Sequence, residues 1–315
     1  MRVLVTGAAG FIGSHVTRGL LANGFDVRGL DDLSTGHLRN LPTPARGWEF
    51  LRGDIRDAGV CTDAMRDVGA VVHLAGRNSV PRSLVDPRSA IEVNVLGGLN
   101  LLEAARAGGV PRFVFASSSS VYGDDRTLPK TERQLPRPLS PYAASKASFE
   151  HLARAWAASW GMHTLGLRFF NVFGPRQDAG SAYAAVVPRF VEAALSGDRP
   201  VIQGDGSFSR DFTHVDNVVL AVRLALDAPA EAAGSVLNVA CGGRITVLDL
   251  WRAIARAAGF DGDPDFAPAR IGDMPHSNAD IAEARRVLGY SPVLGFDEGI
   301  AQTVAWYRSA RQAAA

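Results

Sequence analysis

Lysine is almost missing from this chain. Of its 33 basic residues in 315, only Lys130 and Lys146 are lysines, and arginine supplies the rest. Net charge is also missing: 33 basic residues face 32 acidic ones, which leaves +1. That balance argues against nucleic acid or a membrane surface as a partner. Any anionic substrate must therefore be met by local arginines. Cysteine is scarce. Cys61 and Cys241 lie far apart and lack metal-ligand spacing, so they read as reduced structural thiols of a cytoplasmic protein, and no metal site is expected. No apolar run approaches the roughly 20 residues that span a bilayer. The chain opens directly on the strand-like Arg2-Val3-Leu4-Val5-Thr6, with no signal-peptide pattern. What remains is an ordinary globular composition, 47% hydrophobic and 21% charged, with length for a large α/β domain or two coupled ones.

Short β-rich runs alternate with helical patterns through the first half. Strands are expected at Val3–Thr6, Asp26–Leu30, Trp48–Arg52, Ala70–Leu74, Arg112–Ser117 and His163–Arg168. Helices are expected at Phe11–Asn23, Ile91–Ala107 and Pro141–Trp160. Such βαβα alternation predicts a doubly wound, Rossmann-type parallel sheet with helices on both faces, and near-continuous apolar strands fit a sheet buried on both sides. After Asn171 the pattern loosens. Helices are expected at Val186–Ser196, Asn217–Leu226, Asp249–Ala258, Asp280–Leu288 and Phe296–Ala310, and a strand at Ser235–Ala240 returns to the sheet. The expected organisation is a nucleotide-binding domain over 1–170, with 235–240 rejoining it, and a smaller, mainly substrate-binding domain over 171–315.

Thr6-Gly7-Ala8-Ala9-Gly10-Phe11-Ile12-Gly13 places three glycines between the first strand and the first helix. Glycine permits the tight turn, close approach to a pyrophosphate and tight helix–strand packing. The N–H groups at the helix start, around Gly10, Phe11, Ile12 and Gly13, then face the anion. Asp31 and Asp32 follow about twenty residues on, at the end of the second strand, where a carboxylate binds ribose hydroxyls and repels a 2′-phosphate. The expected cofactor is therefore NAD rather than NADP. Asp54, in Gly53-Asp54-Ile55, follows the third strand, where it either binds the adenine amino group or caps a turn. Ile55, Leu74 and Ala75 are further expected cofactor contacts.

One of the two lysines stands in Ser140-Pro141-Tyr142-Ala143-Ala144-Ser145-Lys146. On a helix, positions four apart share a face, so phenol and ammonium reach one pocket. A nearby cation favours phenolate and lowers the tyrosine pKa. The run Ala116-Ser117-Ser118-Ser119-Ser120-Val121-Tyr122-Gly123 ends a strand at the carboxyl edge, where open α/β sheets bind ligands. A hydroxyl there can share a substrate oxygen with Tyr142.

Together the glycine loop, the serine run ending Val-Tyr-Gly, Tyr142-x-x-x-Lys146 and Leu167-Arg168-Phe169-Phe170-Asn171-Val172-Phe173-Gly174-Pro175-Arg176-Gln177 resemble the extended short-chain dehydrogenase/reductase family. Gly204-Asp205-Gly206, Arg210-Asp211-Phe212-Thr213-His214-Val215-Asp216 and Arg270-Ile271-Gly272-Asp273-Met274-Pro275-His276-Ser277 extend the likeness to its nucleotide-sugar 4-epimerase branch, from first strand to last helix. The resemblance implies Ser118, Tyr142 and Lys146 as the catalytic set, with Tyr142 the base and Lys146 on the nicotinamide ribose. It implies Ser118, Ser119, Asn171, Val187, Arg210, Arg270, Asp273 and Ser277 around a UDP- or dTDP-sugar. The arginine fork suits phosphate.

The implied reaction is redox-neutral: oxidation at C4 by NAD, rotation of the bound 4-keto sugar, and reduction from the other face. Related 4,6-dehydratases carry an Asp-Glu pair just after the catalytic hydroxyl, and a UDP-glucuronate decarboxylase is expected to carry a glutamate there. Here Ser119 and Ser120 stand instead. Serine at 277, where related enzymes with tyrosine admit only UDP-glucose and UDP-galactose, leaves room for an N-acetyl group. UDP-glucuronate ranks lower because Asn171 replaces a threonine and no arginine adjoins Asp178, although Arg189 could meet its carboxylate. A homodimer through the Ile91–Ala107 and Pro141–Trp160 helices is expected by analogy. Their many alanines suit either that contact or an intramolecular one.

Overall fold

The computed structural model of the chain describes residues 1–180, 184–269 and 274–314. Its centre is a seven-stranded, all-parallel sheet. Six strands are β1 (Arg2–Thr6), β2 (Asp26–Asp31), β3 (Trp48–Arg52), β4 (Ala70–His73), β5 (Arg112–Ser118) and β6 (His163–Phe169), and the seventh is Ser235–Val239. Across the sheet the order is Ser235–Val239, β6, β5, β4, β1, β2, β3. The chain winds outward from β1 to β3, then returns to β4 and winds the other way. Its direction reverses between β1 and β4, and the crevice at such a switch point is where ligands bind. Val3, Leu4, Val5, Val71, Val72 and Leu165 are wholly buried, as a sheet covered on both faces requires.

The expected strands all form, each within a residue or two. The Pro141–Trp160 helix matches its expected bounds because both ends are written locally. Ser140 caps it, accepting from the Ala143 N–H at 3.2 Å, Pro141 occupies the first turn, and Gly161 closes it at φ +66°. The expected Ile91–Ala107 helix forms differently. A short helix, Pro87–Ile91, runs into a π-helical stretch, Glu92–Gly97, before a regular helix over Gly98–Ala107. A side chain at Gly98 would sit 2.3 Å from the Phe149 ring, so the glycine lets the neighbouring helix come close. The wider turn brings Asn94 inside, where it is 2% exposed. Helices Ala58–Ala64 and Val80–Val85 were not expected from the sequence. They are too short to show periodicity and are capped by Asp57 and Ser79.

One hydrophobic cluster joins the sheet to the Val215–Leu226 helix and to Ala279, Ile281, Ala284, Leu288 and Tyr290. A second fills the opposite face, between β4 and β5 and the Gly98–Ala107 and Pro141–Trp160 helices. A third, around Phe173, Val187, Phe190, Trp251, Ile254 and Tyr307, lies entirely after residue 171. Both lysines are buried, Lys130 at 3% exposure and Lys146 at 6%.

Candidate active site

The glycine loop lies at the switch point. Gly7 takes φ +71°, and a Cβ on it would meet the Ala75 backbone nitrogen at 2.8 Å. A Cβ on Gly13 would lie 1.9 Å from the Gly7 carbonyl oxygen. This cradle therefore excludes side chains at both positions. Gly10 caps the Phe11–Ala22 helix without a side-chain acceptor, so the helix's first N–H groups are left for an anion. Phe11 packs edge-on against His15, and Ile12 against the first core cluster.

Asp31 ties the loop down. Its carboxylate oxygens accept from the Ala9 N–H at 2.9 Å and the Leu33 N–H at 2.8 Å. Burial pushes its pKa up, and those two N–H groups partly oppose the shift. Asp32 accepts from the Ser34 N–H and hydroxyl. Asp54 takes a forked pair of bonds from Arg56, at 2.9 and 2.6 Å, which holds its carboxyl below the usual range. Gly7, Asp31, Asp32, Asp54, Ile55, Ala75 and Arg77 line one cleft, and the Leu74 N–H bonds Thr6 beside it. The donor set and the side-chain-free cradle fit a dinucleotide. Each Asp31 oxygen already serving one N–H keeps a second lone pair for a ribose hydroxyl.

Tyr142, Lys146 and Ser118 meet at the carboxyl end of β5. Ser118 Oγ accepts from the Ser120 N–H at 3.2 Å and its hydroxyl at 2.8 Å. Tyr142 is buried, its N–H anchored on Ser83 Oγ at 3.1 Å. The tyrosine was expected to be pulled down by the ammonium. Instead its pKa is raised, because burial outweighs everything else, and the group that opposes the rise is Ser118, through a hydrogen bond. The Lys146 ammonium donates to the Ala116 carbonyl at 3.0 Å, and burial lowers its pKa to about 8.

Two residues that the sequence did not flag hold these parts together. Asn94 accepts from the Arg77 N–H at 2.7 Å and donates to the Arg77 carbonyl and to Ser145 Oγ, linking the loop after β4 to the helix that carries Lys146. Asp211 accepts from the N–H groups of Cys241, Gly242 and Ala279, joining three segments beside Arg210. Only the register of a π-helical turn reveals the first, and only long-range contacts the second.

On the far side, His276–Ser277 runs parallel to Ser209–Arg210, so Ser277 faces Arg210 in register. The Arg210 guanidinium donates to the carbonyls of Ser209 and Pro275. Asn171 takes φ +34°, and its amide donates to the Asp211 carbonyl at 3.3 Å. Ser119 is half-buried in the turn after β5. The Val187 side chain is packed in the third core cluster at 2% exposure, which leaves its N–H in the first helical turn as the group that can meet a ligand. Arg270 and Asp273 lie outside the described residues. Among the described residues no cluster of His, Cys, Asp or Glu could hold a metal.

The family model for the NAD-dependent epimerase/dehydratase family matches residues 3–240. A UDP-glucose 4-epimerase from Mycolicibacterium smegmatis is 42% identical over 318 residues, covering 99% of this chain and all of the relative. A dTDP-glucose 4,6-dehydratase from Streptomyces griseus is 38% identical, over 98% of this chain and 94% of the relative. Among solved structures, a UDP-N-acetylglucosamine 4-epimerase from Methanobrevibacter ruminantium, in complex with UDP-N-acetylmuramic acid, superposes with a TM-score of 0.93 at 37% identity, over 98% of both chains. The match runs along the whole length of this chain and of these relatives: the chain belongs to the NAD-dependent epimerase/dehydratase family, among the extended short-chain dehydrogenases/reductases.

Proposed function

We propose that this chain is an NAD-dependent 4-epimerase of a nucleotide-diphosphate sugar, UDP-glucose/UDP-galactose or UDP-N-acetylglucosamine/UDP-N-acetylgalactosamine. The observation that carries the reading is the catalytic edge of β5, where Ser118, Tyr142 and Lys146 stand together while Ser119 and Ser120 occupy the positions that a dehydratase needs for an acid pair. Serine cannot move the C5 proton or expel the C6 hydroxyl as a carboxyl pair would.

Tyr142 takes the proton from the sugar O4. Ser118 favours the resulting phenolate and shares the substrate oxygen. Lys146, charged below about pH 8, favours the phenolate further once substrate is in place and donates to the cofactor ribose. NAD, when bound, would supply the reversible redox chemistry at C4. Gly7, Gly10 and Gly13, with the N–H groups of Phe11 and Ile12, hold its pyrophosphate, and Asp31 and Asp32 select NAD by meeting ribose hydroxyls. Asn171, Arg210, Val187 through its backbone, Arg270 and Asp273 hold the nucleotide diphosphate, leaving the 4-keto sugar free to turn.

Ser277, opposite Arg210, is the proposed gate at the sugar's C2 substituent. Ser277→Tyr is expected to cut turnover of UDP-N-acetylglucosamine by roughly 10- to 200-fold or more, since a single methylene already changes discrimination that much in a pocket, and to spare UDP-glucose. Comparing kcat/KM for the two substrates checks it, and equal losses would remove the gate.

The division of labour along the chain follows the same lines: residues 1–170 with the Ser235–Val239 strand bind NAD, and residues after 171 mainly bind substrate. The chain is proposed to act as a homodimer, with Leu84, Val85, Ile91, Leu96 and Trp160 exposed on or beside the two pairing helices. Free thiols at Cys61 and Cys241 suit a reducing cytoplasm.

The deciding experiment incubates purified protein with UDP-glucose, UDP-N-acetylglucosamine and UDP-glucuronate, without added NAD, and resolves the products by NMR. The C4 epimer of at least one of the first two is expected. A 4-keto-6-deoxy sugar or a pentose would overturn the reading.

A further inference from the structure

The helix that carries Tyr142 and Lys146 presents a third polar side chain on the same face. Glu150 lies one turn beyond Lys146 and is 7% exposed. Three successive residues of β5 meet this row: Ser118 bonds Tyr142, the Ala116 carbonyl takes the Lys146 ammonium at 3.0 Å, and Ser117 Oγ donates to Glu150 Oε1 at 2.5 Å. Arg168 stands beside Ser117 in the β5–β6 register and is 2% exposed. It grips Glu150 with both arms of its fork, Nε to Oε1 at 2.9 Å and Nη2 to Oε2 at 2.7 Å. The guanidinium also lies over the Tyr122 ring, 4.8 Å from its centroid.

As a device for stability this pair is poor. Desolvating two ions costs about what their attraction returns, and an apolar pair of similar volume is often as good. Its place suggests what it does instead. A buried ammonium has lost the water that stabilises its charge, and an opposite charge close by is the direct remedy. The other groups facing Lys146 do not provide one. Tyr142 is neutral until it works. His73, on β4, is held neutral by burial, with its pKa near 3. Gly76, Asn94, Ala116 and Ser118 offer dipoles only.

We propose that Glu150 is a positioning residue for the reaction: Arg168 and Ser117 fix its carboxylate behind Lys146, so that the ammonium stays charged while buried. Glu150 touches neither substrate nor cofactor and acts through Lys146. The consequence for turnover rests on the epimerase reading, whereas the charge on Lys146 can be read without it.

Having only two lysines makes the test direct. The full chain labelled with [ε-13C]lysine gives two side-chain signals, and Lys130→Arg assigns them. In the unaltered protein the Lys146 signal should titrate with a midpoint of about 8. In Glu150→Gln the midpoint is expected to fall, by about one pH unit, because the carboxylate is the charge that opposes the effect of burial on Lys146, and the alkaline limb of kcat should move with it. A folded Glu150→Gln whose Lys146 midpoint is unchanged overturns the proposal. If the unpaired guanidinium unfolds that variant, Glu150→Gln/Arg168→Met is compared with Arg168→Met alone, so that only the carboxylate differs: a lower midpoint in the double variant supports the proposal and an equal one overturns it. A lowered midpoint in a protein that epimerises no nucleotide sugar would leave Glu150 in its role and remove the epimerase reading. Epimerisation with an unmoved midpoint would do the reverse.

Discussion

Tyr142→Phe is expected to bind NAD and nucleotide sugar normally and to lose nearly all turnover. The substitution removes one hydroxyl and keeps the ring, so the packing of the Pro141–Trp160 helix and the bond from the Tyr142 N–H to Ser83 Oγ survive. What goes is the group proposed to take the O4 proton. A positioned acid or base contributes about 10²- to 10⁴-fold to rate, and kcat should fall by that factor with KM little changed. Ser118→Ala is expected to fall less far, because Ser118 supports the phenolate while Tyr142 carries the proton. Steady-state kinetics alongside the NAD content of the denatured protein separate a lost base from a lost cofactor. A Tyr142→Phe variant within tenfold of the parent kcat would mean that another group takes the proton.

Gly13→Ala is expected to damage the cofactor site more than any other single methyl group in the loop. The new carbon would lie 1.9 Å from the Gly7 carbonyl oxygen and 2.7 Å from its carbon. Both are backbone atoms, so no side chain can swing aside. The same carbonyl receives the Gly10 N–H at 3.0 Å, and moving it disturbs the turn that aims the helix N–H groups. Overpacking costs about 1–3 kcal/mol, and a backbone clash sits at the upper end. That corresponds to roughly a hundredfold loss in NAD affinity. Gly10→Ala is the control, since its methyl would come no closer than 3.2 Å to that oxygen, and it should bind NAD more tightly than Gly13→Ala. Isothermal titration calorimetry with NAD measures both, and equal affinities would show that the cradle tolerates a side chain.

The parts of this molecule that could be read from its residues are those fixed by short-range rules. Ser140, Pro141 and Gly161 bound their helix by capping chemistry alone, and the glycine loop announces itself because only glycine fits between β1 and the Leu74–Ala75 backbone that follows β4. Asn94 escaped because Glu92–Gly97 carries the ordinary helical spacing of apolar residues. The wider turn precedes the point where Phe149 crowds Gly98, a long-range contact that no local pattern encodes. Asp211 escaped for a related reason: its partners are 30, 31 and 68 positions away. The direction of the Tyr142 shift could not be read either. A Tyr-x-x-x-Lys spacing reports that two groups share a face, whereas the balance between burial and a neighbouring charge depends on what covers that face.

The burial of both lysines has a practical side. Modification of lysine side chains needs a reachable ε-amine, and the folded chain offers none, since Lys130 and Lys146 both lie inside. Its outward cations are guanidinium groups, which such chemistry passes over. Amine labelling of Lys146 would therefore report that the helix holding it has come away from β5.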